Sequence, residues 1–433
     1  MRKKIDTADL GNLNKPLRMR WIMISFAFLA TVLNYLHRLS FNYLAADGYL
    51  RNILPDDYFG YISTAFFLAY MVSNGFSGFI IDKLGTRLGY SLCMAVWTTA
   101  GILHALARAP LHFGIVRFLL GVGEAGNWPA AIKLTGEWFT PEERSTASGI
   151  FNSGAAAGAI IVPPLIAFLG TTIGWQFTFI VIGILGYLWV AAFWFTYYTP
   201  EKVKRETKAR IIPPRILFKT PFVRWFVVLN FLIDPIWYFI TFWIARYLAE
   251  VHQWDLAKIG WFAMFPFIIA DLGNILGGYF TQFIIKRGVP VPKARKIATG
   301  IFGSLIALAL ILGPFLINGP GTALVVIGVA GFGYASYSAN SLAFTPDVMP
   351  KSATASVYGI ANIGSGLGGS FFQAITGLAV HKLSSRFSYA LAYNTVFIGY
   401  GIMALIGLYI VLFRLGKLVP NKELHDYVLK EEV

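Results

Sequence analysis

The chain consists of long apolar segments that alternate with short polar ones. A transmembrane helix needs about 20 predominantly apolar residues, and twelve segments of this 433-residue sequence are long enough. They are residues 20–44, 58–81, 89–108, 111–138, 146–169, 175–198, 221–249, 256–285, 295–317, 320–345, 353–380 and 389–414. The pattern predicts an all-α membrane protein with 12 transmembrane helices.

A polar segment divides these spans into two groups of six. Residues 199–220 are charged and contain three prolines, so they predict a linker between two six-helix bundles, 20–198 and 221–415. Residues 1–19 and 416–433 are predicted to be terminal tails. Two six-span halves are a standard plan of secondary transporters, which bind their substrate between the halves near the middle of the membrane.

Composition and charge support a membrane protein and orient it. Only 13% of the residues are charged, against about 25% in soluble domains. Basic residues concentrate at positions 2–20, 202–219 and 286–296, which all fall on one side of a twelve-span count. This distribution predicts cytoplasmic termini and a multi-pass protein in the bilayer of the bacterial cytoplasmic membrane. It also accounts for the net charge of +15 without nucleic acid.

Several motifs resemble one transporter family. The segment GFIIDKLGTR at 78–87 resembles the loop after span 2 of the major facilitator superfamily. The fourth span, RFLLGVGEAGNWPAAIKLTGEWFTPEERSTASG at 117–149, resembles the anion:cation symporter branch of that superfamily. Three further segments resemble the hexuronate transporters of this branch: FNSGAAAGAIIVPP at 151–164, DPIWYFITFWIARYL at 234–248 and ADLGNILGGY at 270–279.

The resemblance implies alternating access by two bundles and import of a small organic anion with protons. It implies that Arg38 on span 1 binds the substrate carboxylate, that Tyr35 and Tyr70 line the cavity, and that Glu124 on span 4 carries the coupling proton. Many members of the branch have an aspartate where this chain has His37. That difference leaves open whether two carboxylates take part in coupling.

The chemistry of the ionisable residues agrees with these roles. An intramembrane charge is costly and therefore indicates function, and the planar guanidinium of Arg38 matches a carboxylate, although it could instead snorkel to the headgroups. Arg117 and Glu124 lie seven residues apart on one helical face. They predict either a proton-coupling site or a fixed ion pair between spans. His37 could shuttle protons or donate a hydrogen bond between helices.

The second half is expected to bind the sugar part of the substrate. Asp234 precedes Pro235, whose missing N–H frees a backbone carbonyl. Trp237 follows and could pack on a sugar face or simply on neighbouring spans. Asn340 and Asn362 could bond sugar hydroxyls or other helices.

Asp82, Lys83 and Arg87 are predicted to act in gating. An aspartate at this end of span 2 can accept hydrogen bonds from the N-terminus of a facing helix, which would stabilise the outward-open state. The alternative is an ordinary basic cytoplasmic turn. The glycine-rich segment GSGLGGS at 364–370 lacks the context of a phosphate loop and predicts close packing or a flexible gating segment.

The sequence therefore predicts a transporter rather than an enzyme, with no metal or organic cofactor. The expected substrate is a hexuronate, glucuronate or galacturonate. The alternatives are another small organic anion, such as galactonate or a dicarboxylate, and a membrane receptor that does not transport. The expected partners are a sugar acid, protons and lipid, and the chain is expected to be a monomer.

Overall fold

The computed structural model of the protein describes residues 7–46, 48–139, 144–199, 214–349, 351–416 and 418. Most of the predicted linker, nearly all of the C-terminal tail and the first six residues lie outside the described residues, as does the turn PEE of the fourth-span motif. The predicted domain boundaries in these segments remain predictions.

The described residues are almost entirely helical and contain no strand, so the predicted all-α class is confirmed. The helices are α1 Thr7–Leu44, α2 Gly48–Ile53, α3 Asp56–Leu103, α4 Pro110–Glu124, α5 Asn127–Trp138, α6 Arg144–Thr196, α7 Pro214–Leu217, α8 Pro221–His252, α9 Leu256–Phe262, α10 Met264–Lys286, α11 Val291–Leu316, α12 Pro320–Ser341, α13 Phe344–Val348, α14 Lys351–Arg386 and α15 Tyr389–Tyr409. A 3₁₀ turn, His104–Leu106, extends α3, and a π-helical turn, Ile410–Arg414, ends α15.

Nine helices within the described part of the chain are long and apolar enough to cross a membrane. Two of them, Asp56–Leu106 with 51 residues and Ala147–Thr196 with 50, are far longer than one crossing requires. Each contains a glycine with a positive φ, 78° at Gly85 and 81° at Gly174, a conformation that other residues rarely adopt. These glycines are therefore the points at which each long helix divides into two packed segments.

The helices pack as two bundles. In the first bundle α1 packs on α5 and α6, and α3 packs on α4; in the second, α12 packs on α10 and α11, and α14 packs on α8 and α15. The bundles meet where α14 packs on α3 and where α9 and α10 pack on α6. Large apolar side chains such as Phe79 and Phe195 remain exposed on the outside, as expected for a surface that faces lipid.

The glycine-rich segment of α14 serves close packing. A Cβ on Gly368 would overlap with the carbonyl oxygen of Phe231 in α8, and one on Gly369 would press on the rings of Tyr238 and Phe67. Phe67 belongs to the first bundle and Tyr238 to the second. Small residues at this point therefore let α14 approach both bundles at the level of the candidate site.

Candidate functional site

A break between α4 and α5 sets the position of Glu124, the last residue of α4. Pro129 has no N–H to offer the carbonyl of Ala125 four residues earlier. The hydroxyl of Ser77 donates to that carbonyl instead, with an O–O distance of 3.1 Å. Gly126 provides the space for this turn, because a Cβ there would overlap with the neighbouring α3. Irregular backbone inside a membrane is stable only when its polar groups are satisfied in this way.

Two further glycines let α4 fit between the two parts of α3. A Cβ on Gly121 would press on the carbonyl oxygen of Phe66, and one on Gly123 would press on the backbone of Trp97. Phe66 precedes the turn at Gly85 and Trp97 follows it. The carboxylate of the next residue along α4 is thereby held beside α1.

Arg38 and Glu124 form an ion pair at the centre of the first bundle. The distance from Arg38 Nε to Glu124 Oε2 is 2.8 Å, and the side chains are 11% and 0% exposed. Among the described residues, neither Arg38 Nη2 nor Glu124 Oε1 has a hydrogen-bond partner. The guanidinium thus retains a donor for a second carboxylate, and Glu124 retains an oxygen that can take a proton.

Three aromatic rings surround the guanidinium of Arg38. Its Cζ lies 5.4 Å from the ring centre of Tyr35, 5.2 Å from that of Phe66 and 4.9 Å from that of Tyr70. Such contacts stabilise a cation in a place with little water. The structure therefore brings Arg38, Tyr35, Tyr70 and Glu124 together, as the family resemblance implies. Sequence analysis missed Phe66, although its position four residues before Tyr70 places both rings on one helical face.

Arg117 holds the backbone of α1 in place. Its Nη1 donates to the carbonyl oxygen of Arg38 at 2.9 Å, and its guanidinium lies 4.4 Å from the ring centre of Phe41. Within the described part of the chain, Arg117 forms no ion pair with Glu124. The geometry places Arg117 behind the Arg38–Glu124 pair, where it holds the backbone of Arg38.

His37 points away from this cluster. Its side chain is buried and lies against Gly101 in the second part of α3, where a Cβ would overlap with the imidazole ring. Successive helical residues point about 100° apart, so His37 faces α3 while Arg38 faces α4. The position favours a packing role for His37 over proton coupling.

The second bundle presents a polar and aromatic cluster. The hydroxyl of Tyr334 donates to Oδ1 of Asp234 at 3.0 Å, and the hydroxyls of Tyr238 and Ser365 share a hydrogen bond of 2.7 Å. The ring of Trp237 stacks on that of Tyr334, with centres 5.4 Å apart and planes 9° apart. We call these five residues the sugar-side cluster.

The sugar-side cluster faces the aromatic residues around Arg38 in the first bundle. The ring of Tyr238 lies 4.5 Å from that of Phe67, centre to centre. Phe66, the neighbour of Phe67, contacts the guanidinium of Arg38 with 5.2 Å between its ring centre and Cζ. The two halves therefore present a cation and a set of hydroxyl and aromatic groups to one central region.

The two predicted asparagines differ in their surroundings. Asn340 is buried, accepts a hydrogen bond of 2.5 Å from Thr281, and donates to the carbonyls of Gly277 and Ser336 at 3.1 and 2.9 Å. The bonds to Thr281 and Gly277 join α12 to α10, and the bond to Ser336 lies within α12. Asn362 is exposed on α14, three residues before Ser365 and so on nearly the same helical face. Asn362 thus lies one helical turn from Ser365 of the sugar-side cluster, whereas the side chain of Asn340 bonds to residues outside that cluster.

At the end of the molecule near Gly85, two of the predicted gating residues, Asp82 and Arg87, bond within the first bundle. Asp82 is 77% exposed, and its Oδ1 lies 3.0 Å from Lys133 Nζ in α5. Arg87 donates to the carbonyl oxygen of Trp194 at 2.9 Å, and Lys83 is exposed. In this conformation Asp82 pairs with a lysine of its own bundle.

At the opposite end, buried charges join the two bundles. Nη1 of Arg246 in α8 lies 3.0 Å from Oδ1 of Asp56 in α3, and both side chains are buried. Arg246 Nε lies 3.7 Å from Glu250 Oε1, and Arg51 Nε lies 3.9 Å from the same oxygen. We call Arg51, Asp56, Arg246 and Glu250 the inter-bundle charge cluster. Sequence analysis missed it, although opposite charges four residues apart in an apolar span were a usable signal.

The ion pairs therefore differ between the two ends. The inter-bundle charge cluster connects the halves at one end, where the rings of Phe59 and Trp243 also meet with centres 5.0 Å apart. At the end near Gly85, the ion pairs formed by described residues, such as Asp82 with Lys133, stay within one bundle. Ion pairs between the bundles are thus present at one end and, among the described residues, absent from the other.

Comparison with known proteins identifies the family. Residues 21–373 match the Major Facilitator Superfamily. The chain belongs to this superfamily. A hexuronate transporter of Escherichia coli (strain K12) is 29% identical over 383 residues, which cover 83% of this chain and 87% of the relative. A galacturonate transporter of Dickeya chrysanthemi is 30% identical over 325 residues, which cover 70% of this chain and 90% of the relative.

A solved structure shows the same fold. A bacterial homolog of the human lysosomal transporter Spinster, in an inward-facing and unoccupied conformation, matches with a TM-score of 0.76 and 18% identity over 92% of this chain and 97% of that one. The major facilitator protein described here is therefore a multi-pass transporter of the bacterial inner membrane and not an enzyme. The predicted membership of the superfamily and the resemblance to hexuronate transporters are confirmed.

Proposed function

We propose that this transporter imports a hexuronate, glucuronate or galacturonate, together with protons. The observation that carries the proposal is the Arg38–Glu124 ion pair, because it joins a carboxylate-binding group to a proton acceptor at the centre of the first bundle. The names of the two relatives supply the choice of substrate. Alternating access by a single chain moves the sugar acid across the membrane.

The topology in this proposal has twelve spans. The two long helices divide at Gly85 and Gly174, which turns nine apolar helices into eleven, and α4 with α5 forms the twelfth span. The basic segments then lie on the cytoplasmic side with both termini. With that orientation, the inter-bundle charge cluster closes the outer side, and the conformation described here faces the cytoplasm.

Proton coupling follows from competition for Arg38. With Glu124 ionised, the charges of Arg38, Arg117 and Glu124 sum to one positive charge, and Glu124 occupies the guanidinium. A proton on Glu124 weakens that bond and leaves two positive charges to attract the anion. The substrate carboxylate then takes over the guanidinium, so substrate and proton favour each other's binding.

The remaining residues have supporting roles in this scheme. Tyr35 and Tyr70 bound the carboxylate pocket, and Arg117 positions Arg38 from behind. Trp237 packs on the sugar ring, and Asn362 bonds its hydroxyls. Asn340 is left out because its polar atoms already bond within the second bundle.

The outward-open state requires the opposite pattern of contacts. The inter-bundle charge cluster separates, and the end near Gly85 closes. Asp82, Lys83 and Arg87 then meet the second bundle, where Asp82 can accept from the N-terminus of a facing helix. The ion pair of Asp82 with Lys133 is the inward-facing alternative to that contact.

Uptake of radiolabelled glucuronate into proteoliposomes tests the function. An imposed inward proton gradient is expected to drive accumulation, and unlabelled galacturonate is expected to compete more strongly than galactonate. Arg38→Lys is expected to weaken binding about 10- to 100-fold, because a charged but non-planar group loses the paired hydrogen bonds. Binding without transport would instead indicate a receptor. A folded protein that neither binds nor transports either hexuronate would refute the proposal.

A further inference from the structure

We infer that Asp234 recognises the sugar hydroxyls and makes the site selective for a polyhydroxylated acid with a single carboxylate. This inference rests on the proposed function and specifies its substrate class. It concerns the end of the ligand opposite to the carboxylate that Arg38 binds.

Asp234 is a carboxylate held by neutral groups. Tyr334 donates to its Oδ1 at 3.0 Å, and among the described residues no arginine, lysine or histidine forms an ion pair with it. Its side chain is partly exposed within an apolar helix. A charged group in a membrane span that has no cation beside it requires other hydrogen-bond donors, and sugar hydroxyls are such donors.

The local backbone fixes where this carboxylate lies. Pro235 removes one intrahelical hydrogen bond from α8, and Gly368 of α14 packs directly on the carbonyl of Phe231 that this leaves free. The residues around the kink are therefore held tightly, and the Asp234 carboxylate has a fixed position. The ring of Tyr238, one helical turn later, packs on Phe67 of the first bundle with centres 4.5 Å apart. The adjacent Phe66 contacts the guanidinium of Arg38, so Asp234 and Arg38 border the same region from opposite bundles.

Arg38 and Asp234 together favour a ligand that has a carboxylate at one end and hydroxyls at the other. A hexuronate places its carboxylate on Arg38 and its hydroxyls toward Asp234, which accepts hydrogen bonds only. A dicarboxylate of the same length would place its second carboxylate near Asp234, where like charges repel. An acid without hydroxyls would leave Asp234 without its additional donors.

Three ligands and two variants test the inference through competition with radiolabelled glucuronate for the purified transporter. The ligands are glucuronate, glucarate with a second carboxylate, and tetrahydropyran-2-carboxylate, which has the ring and carboxylate without hydroxyls. Asp234→Asn is expected to weaken the affinity for glucuronate about 10- to 100-fold. The affinity for tetrahydropyran-2-carboxylate should stay within about threefold of the wild-type value. The ratio of glucarate affinity to glucuronate affinity should rise. Asp255→Asn is the matched control, since Asn also caps α9.

The outcomes separate this inference from the proposed function. If the wild type binds no hexuronate, the proposed function fails. If it binds glucuronate but Asp234→Asn weakens all three ligands equally, or none of them, Asp234 has only a structural role and the inference is overturned. Wild-type affinity for glucarate equal to that for glucuronate also overturns it, and this measurement does not depend on the folding of any variant.

Discussion

The Nε atom of Arg38 lies 2.8 Å from Oε2 of Glu124, although 86 residues separate them along the chain. The pair combines the two requirements of an anion–proton symporter in one contact. In the proposed mechanism Arg38 binds the substrate anion and Glu124 binds the proton. Because Glu124 neutralises Arg38, binding of the proton changes the affinity for the anion. A buried pair of this kind contributes little net stability, which favours function as the reason for its presence.

Glu124→Gln is expected to uncouple transport from protons. Glutamine can still accept a hydrogen bond from Arg38, but it cannot ionise. The substrate carboxylate can therefore bind the guanidinium of Arg38 at any pH, without a proton at position 124. In proteoliposomes, exchange of labelled for unlabelled glucuronate should persist, while accumulation driven by a proton gradient should disappear. Gradient-driven accumulation at the wild-type level would contradict the role of Glu124. Arg38→Lys provides the contrast, because it should weaken both exchange and accumulation.

Arg246→Gln is expected to open the outer end of the transporter. Removal of one partner from a buried ion pair leaves an uncompensated charge that costs about 3–5 kcal/mol, and separation of the bundles lets water reach Asp56. The measurement is the labelling rate of a cysteine at buried Ser63 with a membrane-impermeant thiol reagent from outside, with Cys93 replaced by serine. Because about 1.4 kcal/mol corresponds to a tenfold change in an equilibrium, we expect the labelling rate to rise at least tenfold.

Arg51→Gln is the control for this experiment. Arg51 is 30% exposed and lies 3.9 Å from Glu250, so it belongs to the rim of the same cluster. Exposed pairs are worth about 0–1 kcal/mol, and labelling should therefore change much less than in Arg246→Gln. Equal labelling rates for the two variants would show that Arg246 does not hold the outer end closed.

Sequence analysis located Arg38 and Glu124 because each residue is unusual on its own. An arginine and a glutamate inside apolar spans are conspicuous without any structure. The contact of Arg246 with Asp56 was not accessible in this way, since it joins residues almost two hundred positions apart. The same limit applies to Asn340. Its amide could bond a sugar hydroxyl or another helix, and its bonds to α10 are visible only once the helices are packed.

His37 is expected to affect stability rather than proton coupling. Gly101→Ala places a methyl group against the imidazole, and overpacking of this kind costs about 1–3 kcal/mol. The double variant Gly101→Ala with His37→Ala should recover part of that loss, which a double-mutant cycle of thermal unfolding measures. His37→Gln should retain gradient-driven uptake and its pH profile. A pH profile that shifts or flattens in His37→Gln would restore His37 as a coupling residue.

Asn340 and Asn362 provide a matched pair that separates structure from recognition. Asn340→Ala removes bonds between α12 and α10 and leaves the Thr281 hydroxyl and the Gly277 carbonyl without that partner. A buried hydrogen bond contributes about 0.5–1.5 kcal/mol, and Thr281 can still donate to the Gly277 carbonyl. The unfolding temperature should therefore fall while the KM of the remaining folded protein stays near the wild-type value. Asn362→Ala, at an exposed position beside the sugar-side cluster, should do the reverse: unchanged unfolding and a KM for glucuronate raised about tenfold. A raised KM in Asn340→Ala with normal unfolding would mean that Asn340 turns toward the substrate in another state of the transport cycle.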